Sequence, residues 1–207
     1  DSVRAEFYLF RALAWERLDN IESCISELVK LCYTSSCQYC PRTEQILERI
    51  SVNIEGVLVN AGRPEILLFN CVKTAEFCFS CQNSVNSAAL LTEFSAIAAK
   101  PGSEDLEKTL QVLEQMENRY GKNTGFLRSR AILETKMGNY GNAAGLWRQA
   151  ASGTSSDRYN WWRARYHELN CWDHSGRKDI PHAVEVLRST YENIPPFWDK
   201  KLKELAN

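Results

Sequence analysis

Residues 138–151, Gly-Asn-Tyr-Gly-Asn-Ala-Ala-Gly-Leu-Trp-Arg-Gln-Ala-Ala, combine a glycine with small and aromatic residues at helical spacing. Gly138 can adopt the backbone geometry that ends a helix. Ala143 and Ala150 are seven residues apart, so they lie on one face of the next helix and leave room for a close helix crossing. The stretch therefore predicts two antiparallel helices joined by a short turn.

A second, more degenerate copy of this pattern begins 38 residues later, at Gly176. Ala183, Leu187 and Thr190 follow it with the same mutual spacing as the small and aromatic residues of the first copy. The turn is two or three residues longer and carries Pro181 where a helix is expected to begin. The repetition predicts a second helix hairpin.

The two copies resemble tetratricopeptide (TPR) repeats, which are helix hairpins that stack side by side. The resemblance covers residues 104–194, and the rest of the chain fits the family only by architecture. It implies an all-α fold of antiparallel helix hairpins stacked as a TPR-like α-solenoid. Apolar spacing after the proline pair Pro195-Pro196 predicts that residues 195–207 form a final helix over the exposed end of the last hairpin. The residues that stand in the family's positions are Gly138, Tyr140, Ala143, Trp147 and Ala150.

In TPR proteins the first helix of each hairpin lines a concave groove. The resemblance therefore implies a non-enzymatic scaffold or adaptor that binds another protein or a peptide, without a cofactor. Some family members clamp the C-terminal carboxylate of a partner, and Arg163 and Asn170 have side chains suited to that contact. The partner-binding residues that the resemblance implies are Arg128, Arg163, Tyr166, His167 and Asn170.

Composition supports a helical chain with its own core. Of 207 residues, 44% are hydrophobic, and only six are prolines and ten glycines, so an all-α chain is favoured. Pro101-Gly102-Ser103 marks a boundary between an N-terminal, cysteine-rich helical region of degenerate repeats at 1–100 and TPR-like hairpins with a capping helix at 101–207. Because Asp1 is not a methionine, we expect a processed chain or an excised piece of something larger.

Charge is nearly balanced in both regions, with a net −3 for residues 1–100 and +2 for 101–207. Neither has the basic excess typical of proteins that bind nucleic acid or anionic membranes, so both partners are disfavoured. No apolar run is long enough to cross a bilayer. The three histidines lie in no recognisable catalytic motif, and we expect no enzyme activity. The oligomeric state and the compartment stay open, with a slight preference for the cytoplasm.

In the N-terminal region, apolar spacing predicts a first helix that turns one face towards the core. Asp19 is expected to cap a second helix, which ends before a polar loop at 33–43. A further helix is expected from 46 through 58, stopping near Gly62, and Pro64 and Ser103 mark the starts of later helices. The predicted inner face of the first helix consists of Val3, Phe7, Phe10, Ala14 and Leu18.

Seven of the eight cysteines lie in the first 81 residues, and four of them form two Cys-x-x-Cys pairs. Two such pairs can hold a tetrahedral zinc ion. The order Cys32, Cys37, Cys40 and Cys71 also matches the ligand spacing of plant-type iron–sulfur proteins. The residues of this metal-binding alternative are Cys37, Cys40, Cys78 and Cys81.

The surroundings of these cysteines favour a plainer explanation. Their apolar helical segments are typical of core thiols, and a disulfide between Cys37 and Cys40 or across the loop is a further possibility. A redox-active pair is disfavoured, because no thioredoxin-like pattern surrounds it. A metal-binding or redox module is therefore the alternative to the scaffold, not the preferred function.

An aromatic and basic cluster fills residues 147–172, where four of the six tryptophans alternate with arginines. Such residues anchor peptides or stack on bases, so single-stranded nucleic-acid binding is a third alternative. A structural explanation is that Trp162, Tyr166 and Leu169 form the inward face of one helix while the arginines lie outside. We favour this explanation over nucleic-acid stacking.

Overall fold

The computed structural model describes residues 2–34, 37–153, 158–191 and 193–207. These residues form α-helices joined by turns, with no β-strand among them, so the predicted all-α class is confirmed. The chain divides into two compact units, Asp1–Ala98 and Ala99–Asn207, here called the N-terminal and C-terminal units. The sequence placed this boundary at residues 100–101.

In the N-terminal unit, α1 packs on α2, while α2, α3 and α6 pack on α5. The predicted loop at 33–43 is partly helical, since a 3-10 turn at Cys37–Tyr39 leads directly into α3. The helix expected from 46 to 58 is interrupted at Asn53. The helices are α1 Ser2–Arg17, α2 Ile21–Thr34, α3 Cys40–Val52, α4 Ile54–Asn60, α5 Pro64–Gln82 and α6 Val85–Ala98.

The face that α1 turns inward is not the predicted one. Ala5 and Ala12 are buried, whereas Phe10 is 69% exposed and Val3, Phe7 and Leu18 also lie at the surface. Small alanines allow the close approach between α1 and α2, so the large apolar side chains point away from that contact. The helical spacing was right, but the face was wrong.

The predicted cap of α2 is also corrected. Asp19 has a left-handed backbone, with φ of 55°, and therefore belongs to the turn that ends α1. Its neighbour Asn20 caps α2, because its side-chain oxygen accepts the N–H of Ser23 at 3.1 Å. Ser103 likewise makes no side-chain cap on α7; its hydroxyl donates to the carbonyl of Lys100 at 2.7 Å.

In the C-terminal unit, each helix packs on the one that follows it, and α12 packs on both α10 and α11. Gly138 and Gly176 follow α8 and α10 with φ of 79° and 86°, as expected for glycines that end helices. Pro181 lies in the first turn of α11, as predicted. The helices are α7 Glu104–Tyr120, α8 Thr124–Lys136, α9 Tyr140–Gly153, α10 Arg158–His174, α11 Ile180–Thr190 and α12 Pro196–Leu205.

Helix α10 lies at the centre of this unit. One side of it packs on α9 through Ala164 and Cys171, and the other packs on α11 and α12 through Trp162 and Leu169. The inward positions predicted for Trp162 and Leu169 are therefore confirmed. Because two sides of α10 are covered, its functional side chains are held by packing rather than by a loop.

Candidate functional site

Some of the α10 residues that were predicted to contact a partner lie against a buried tryptophan of α9. Arg163 is only 1% exposed, and its guanidinium lies 6.0 Å from the centre of the Trp147 ring. His167 is half-buried and stacks on the same ring at 4.7 Å. Arg163 was expected on the outside of the helix and in a carboxylate clamp, but its burial removes it from the surface.

The chain's own last helix covers the same side of α10. Trp198 of α12 is 1% exposed, and its ring lies 5.5 Å from Tyr166, 5.8 Å from Tyr159 and 6.1 Å from His167. The sequence predicted a covering helix here. It did not predict that Trp198 would pack against the residues that were proposed to contact a partner, because the docking position of α12 depends on tertiary packing.

The two other predicted partner residues are Arg128 on α8 and Asn170 on α10. Arg128 is half-buried on α8. Asn170 is half-buried on α10, and its carbonyl accepts a hydrogen bond from Nδ1 of His174 at 2.8 Å. Arg163, Tyr166 and His167 thus share one aromatic cluster.

A second side of α10 presents arginines over tryptophan rings. The guanidinium of Arg165 lies 5.7 Å from the Trp161 ring, and those of Arg148 and Arg177 lie 6.0 and 5.6 Å from the Trp172 ring. Both tryptophans are half-buried, and Arg148 and Arg177 are exposed. We call these five residues the arginine–tryptophan surface.

A buried carboxylate organises this surface. Glu168 is 2% exposed, and its two oxygens accept hydrogen bonds from Nε of Arg148 at 2.7 Å and from Nη1 of Arg165 at 2.5 Å. Arg177 pairs with Asp179 through two hydrogen bonds, which raise the pKa of Arg177 and lower that of Asp179. Each arginine is therefore fixed by a carboxylate. Glu168 is not among the residues predicted from the sequence, although its spacing of three from Arg165 is a signal of a side-chain pair on one helix face.

In the N-terminal unit, the two Cys-x-x-Cys pairs meet. Cys37 and Cys81 form a disulfide, instead of the Cys37–Cys40 bond considered from the sequence. The sulfurs of Cys37, Cys40 and Cys81 all lie within 4.8 Å of one another. Cys78 donates a hydrogen bond to Cys40, so the structure brings together the four cysteines of the metal-binding alternative. Two of them are joined to each other here, so only two free thiols remain in the group.

The other cysteines of this unit are Cys24 and Cys71, which are buried, and Cys32, which lies close enough to Cys40 and Cys78 to interact with them electrostatically. The hydrogen bond from Cys78 lowers the pKa of Cys40 and raises that of Cys78. Burial raises the pKa of Cys24, Cys32 and Cys71 to about 12. Cys71 is wholly buried beside Cys24 and is not in the group of sulfurs, so the iron–sulfur ligand order is not assembled around it.

No protein-family model, curated protein or solved structure matches the chain. None of the helices in the described ranges combines the length and apolar character needed to span a bilayer.

Proposed function

We propose that the chain is a non-enzymatic, TPR-like helical-repeat scaffold that binds another protein or a peptide. The succession of two hairpins, α8–α9 and α10–α11, supports this proposal, as do the left-handed glycines after the first helix of each. Thr135 of α8 and Cys171 of α10 are 36 residues apart, and their Oγ1 and Sγ atoms are 3.4 Å apart. Equivalent helices of successive hairpins would lie side by side in this way in a repeat array.

The observation that carries the proposal is the arginine–tryptophan surface. Tryptophan and arginine supply most of the binding energy at many protein interfaces. Long arginine side chains usually lose conformational entropy on binding, but Glu168 already holds Arg148 and Arg165 in place. The surface is therefore pre-organised for a partner, whereas the aromatic cluster around Trp147 is covered by α12.

The chemistry of this surface suggests what the partner offers. The planar guanidinium of arginine binds carboxylates through paired hydrogen bonds, and half-buried indole rings bury apolar side chains. We therefore propose a peptide segment that carries a carboxylate beside an apolar or aromatic side chain. The contacts proposed from the family resemblance at Arg128 and Asn170 stay predictions.

Panning a displayed library of random peptides against the full chain tests this function. The enriched peptides, made synthetically, should bind the wild-type chain at least tenfold more tightly than the Arg148→Gln/Arg177→Gln variant. Arg17→Gln/Arg42→Gln is the matched control, because it removes two exposed positive charges from the N-terminal unit. It should bind like the wild type, and circular dichroism should show both variants folded.

Two results would overturn the scaffold proposal. The first is a library from which nothing is enriched above binding to an unrelated helical protein. The second is tight binding of oligothymidylate that is lost in the arginine variant and falls steeply with salt, because that behaviour indicates a single-stranded nucleic-acid site.

A further inference from the structure

The two Cys-x-x-Cys pairs lie in register on antiparallel helical segments. Cys37 and Cys40 lead into α3, and Cys78 and Cys81 lie in the last turns of α5, which packs on α3. Cys37 pairs with Cys81, and Cys40, three residues later, pairs with Cys78, three residues earlier. Residues three apart lie on one side of a helix, so the two pairs are stacked one helical turn apart.

The two pairs differ in their access to solvent. Cys37 is exposed and Cys81 is half-buried, so the oxidised outer pair can be reached from outside. Cys40 and Cys78 are almost wholly buried, so the reduced inner pair cannot. Any oxidant of ordinary size meets the outer pair first.

The inner pair is placed to react with the outer one. The sulfur of Cys40 lies within 4.8 Å of both sulfurs of the disulfide. Thiol–disulfide exchange proceeds by attack of one sulfur on a disulfide, and the Cys78 thiol is hydrogen-bonded to the Cys40 sulfur. A nucleophile, an adjacent disulfide and a second thiol are thus present together.

We propose that the four cysteines form a thiol–disulfide exchange site, in which the exposed Cys37–Cys81 pair passes oxidation inward to Cys40 and Cys78 and then accepts it again from an external disulfide. This activity goes beyond the scaffold function and lies in the other unit. The substrate class is a small disulfide such as oxidised glutathione.

The reaction balances in three steps. The Cys40 thiol loses its proton to solvent, and its thiolate attacks Cys81; the Cys40–Cys81 bond forms, the Cys37–Cys81 bond breaks, and the better-solvated Cys37 sulfur leaves as a thiolate. The Cys78 thiolate, after losing its proton, then attacks Cys40 and releases Cys81. Cys37 and Cys81 take up two protons, so two electrons have moved outward. Oxidised glutathione then re-forms the outer disulfide and leaves as two molecules of reduced glutathione.

Native thiol labelling of the full chain, without added oxidant, tests the inward transfer. The chain starts with the outer pair oxidised, and N-ethylmaleimide is present while it remains folded. We expect Cys37 and Cys81 to become labelled with time, and peptide mapping to find a Cys40–Cys78 bond. In the Cys78→Ser variant the second step is blocked, so labelling of Cys81 should fall at least tenfold.

Oxidised glutathione tests the whole sequence of steps, which ends with both pairs oxidised. The wild type should finish with both disulfides, and Cys171→Ser, which removes a buried thiol from the C-terminal unit, should do the same. The proposal is overturned if the outer pair stays unlabelled while Cys40 and Cys78 remain free thiols. It is also overturned if Cys78→Ser labels like the wild type, or if the fully reduced chain binds one zinc ion through all four cysteines and then resists oxidised glutathione.

Discussion

The two units of the chain make their turns between helices in different ways. In the described residues, every glycine with a positive φ lies in the C-terminal unit, whereas the N-terminal unit uses Asp19 and Asn83 in left-handed conformations. Glycine adopts this conformation without strain, and other residues pay a conformational cost. Turns between helices are therefore easier to predict from the C-terminal sequence than from the N-terminal one.

Their interiors differ as well. The N-terminal core is built from isoleucine, leucine and cysteine and is closed by a disulfide. The C-terminal core combines a row of alanines on α9 with tryptophans, and it buries Arg163 and Glu168. We expect the first unit to depend on covalent closure and the second on aromatic and ionic contacts, and the following experiments test that contrast.

The largest expected effect is that of Trp147→Ala. Trp147 is buried among the α9 alanines, stacks on His167 and lies beneath Arg163, so its removal leaves a large cavity. We expect a loss of about 4 kcal/mol in the free energy of unfolding, measured by hydrogen exchange of C-terminal peptides. Trp15→Ala, at a half-buried position of the N-terminal unit, is the matched control and should cost less. Equal protection losses in peptides of both units would show that they unfold together.

Removing the disulfide should destabilise the N-terminal unit and leave the C-terminal unit unchanged, which is the opposite of the effect expected for Trp147→Ala. Cys37 and Cys81 are 44 residues apart, and a loop of that length corresponds to a stabilisation of about 3 to 4 kcal/mol from restriction of the unfolded chain. In Cys37→Ser/Cys81→Ser, hydrogen exchange should accelerate in N-terminal peptides and stay unchanged in C-terminal ones. Treatment of the wild type with a reductant is the second measurement. A stability change in the C-terminal peptides would contradict the contrast.

Each unit also contains a buried glutamate that contacts two basic residues. Replacing each glutamate with glutamine should lower the free energy of unfolding by different amounts. Glu168 uses both oxygens, one for Arg148 and one for Arg165. Arg11 and Lys30 both form ion pairs with the same oxygen of Glu27, and the other oxygen of Glu27 is buried without a hydrogen bond. In Glu168→Gln one arginine must face an amide N–H₂, whereas in Glu27→Gln the amide oxygen can keep both contacts.

We therefore expect Glu168→Gln to cost about 2 kcal/mol and Glu27→Gln less than about 1 kcal/mol, measured by chemical denaturation of each variant. Glu107→Gln, at an exposed position of α7, is the control for the loss of a surface charge. A larger cost for Glu27→Gln would show that the unpaired oxygen of Glu27 is in fact engaged.

The elements that the sequence predicted well are those with local causes. The turns at Gly138 and Gly176 and the helix starts at Pro64 and Pro181 each depend on one residue's backbone chemistry. The helix over the last hairpin follows from apolar spacing after a proline pair, and its burial of Trp198 fits that expectation.

The elements that the sequence did not predict depend on which segments meet. Periodicity found an apolar row on α1, but it could not show that Ala5 and Ala12 would form the contact instead. The spacing within each Cys-x-x-Cys pair could not reveal that Cys37 would join Cys81 from the other pair. Arg163 was expected outside for the same reason, because no local signal indicates that Trp147 and Trp198 lie on its side of α10.

The smallest expected effect tests the contrast in turns most directly. Asp19→Gly should stabilise the N-terminal unit by about 0.5 kcal/mol, because glycine relieves the left-handed strain at φ of 55° but adds freedom to the unfolded chain. Gly138→Asp, the reciprocal change, should cost about 1 kcal/mol. A Cβ at Gly138 would meet no atom within 4 Å, so that cost comes mainly from backbone strain.

Urea denaturation measures the stability change in both variants, and hydrogen exchange in the peptides that span each turn shows where it occurs. Gly102→Asp is a further control, because that position also has a positive φ and open space around it, and it should cost as much as Gly138→Asp. If Asp19→Gly destabilises instead, the aspartate itself must favour the turn. The N-terminal turns would then be specified by the side chains of Asp19 and Asn83, and their sequences would have to be recognised by a turn chemistry other than that of glycine.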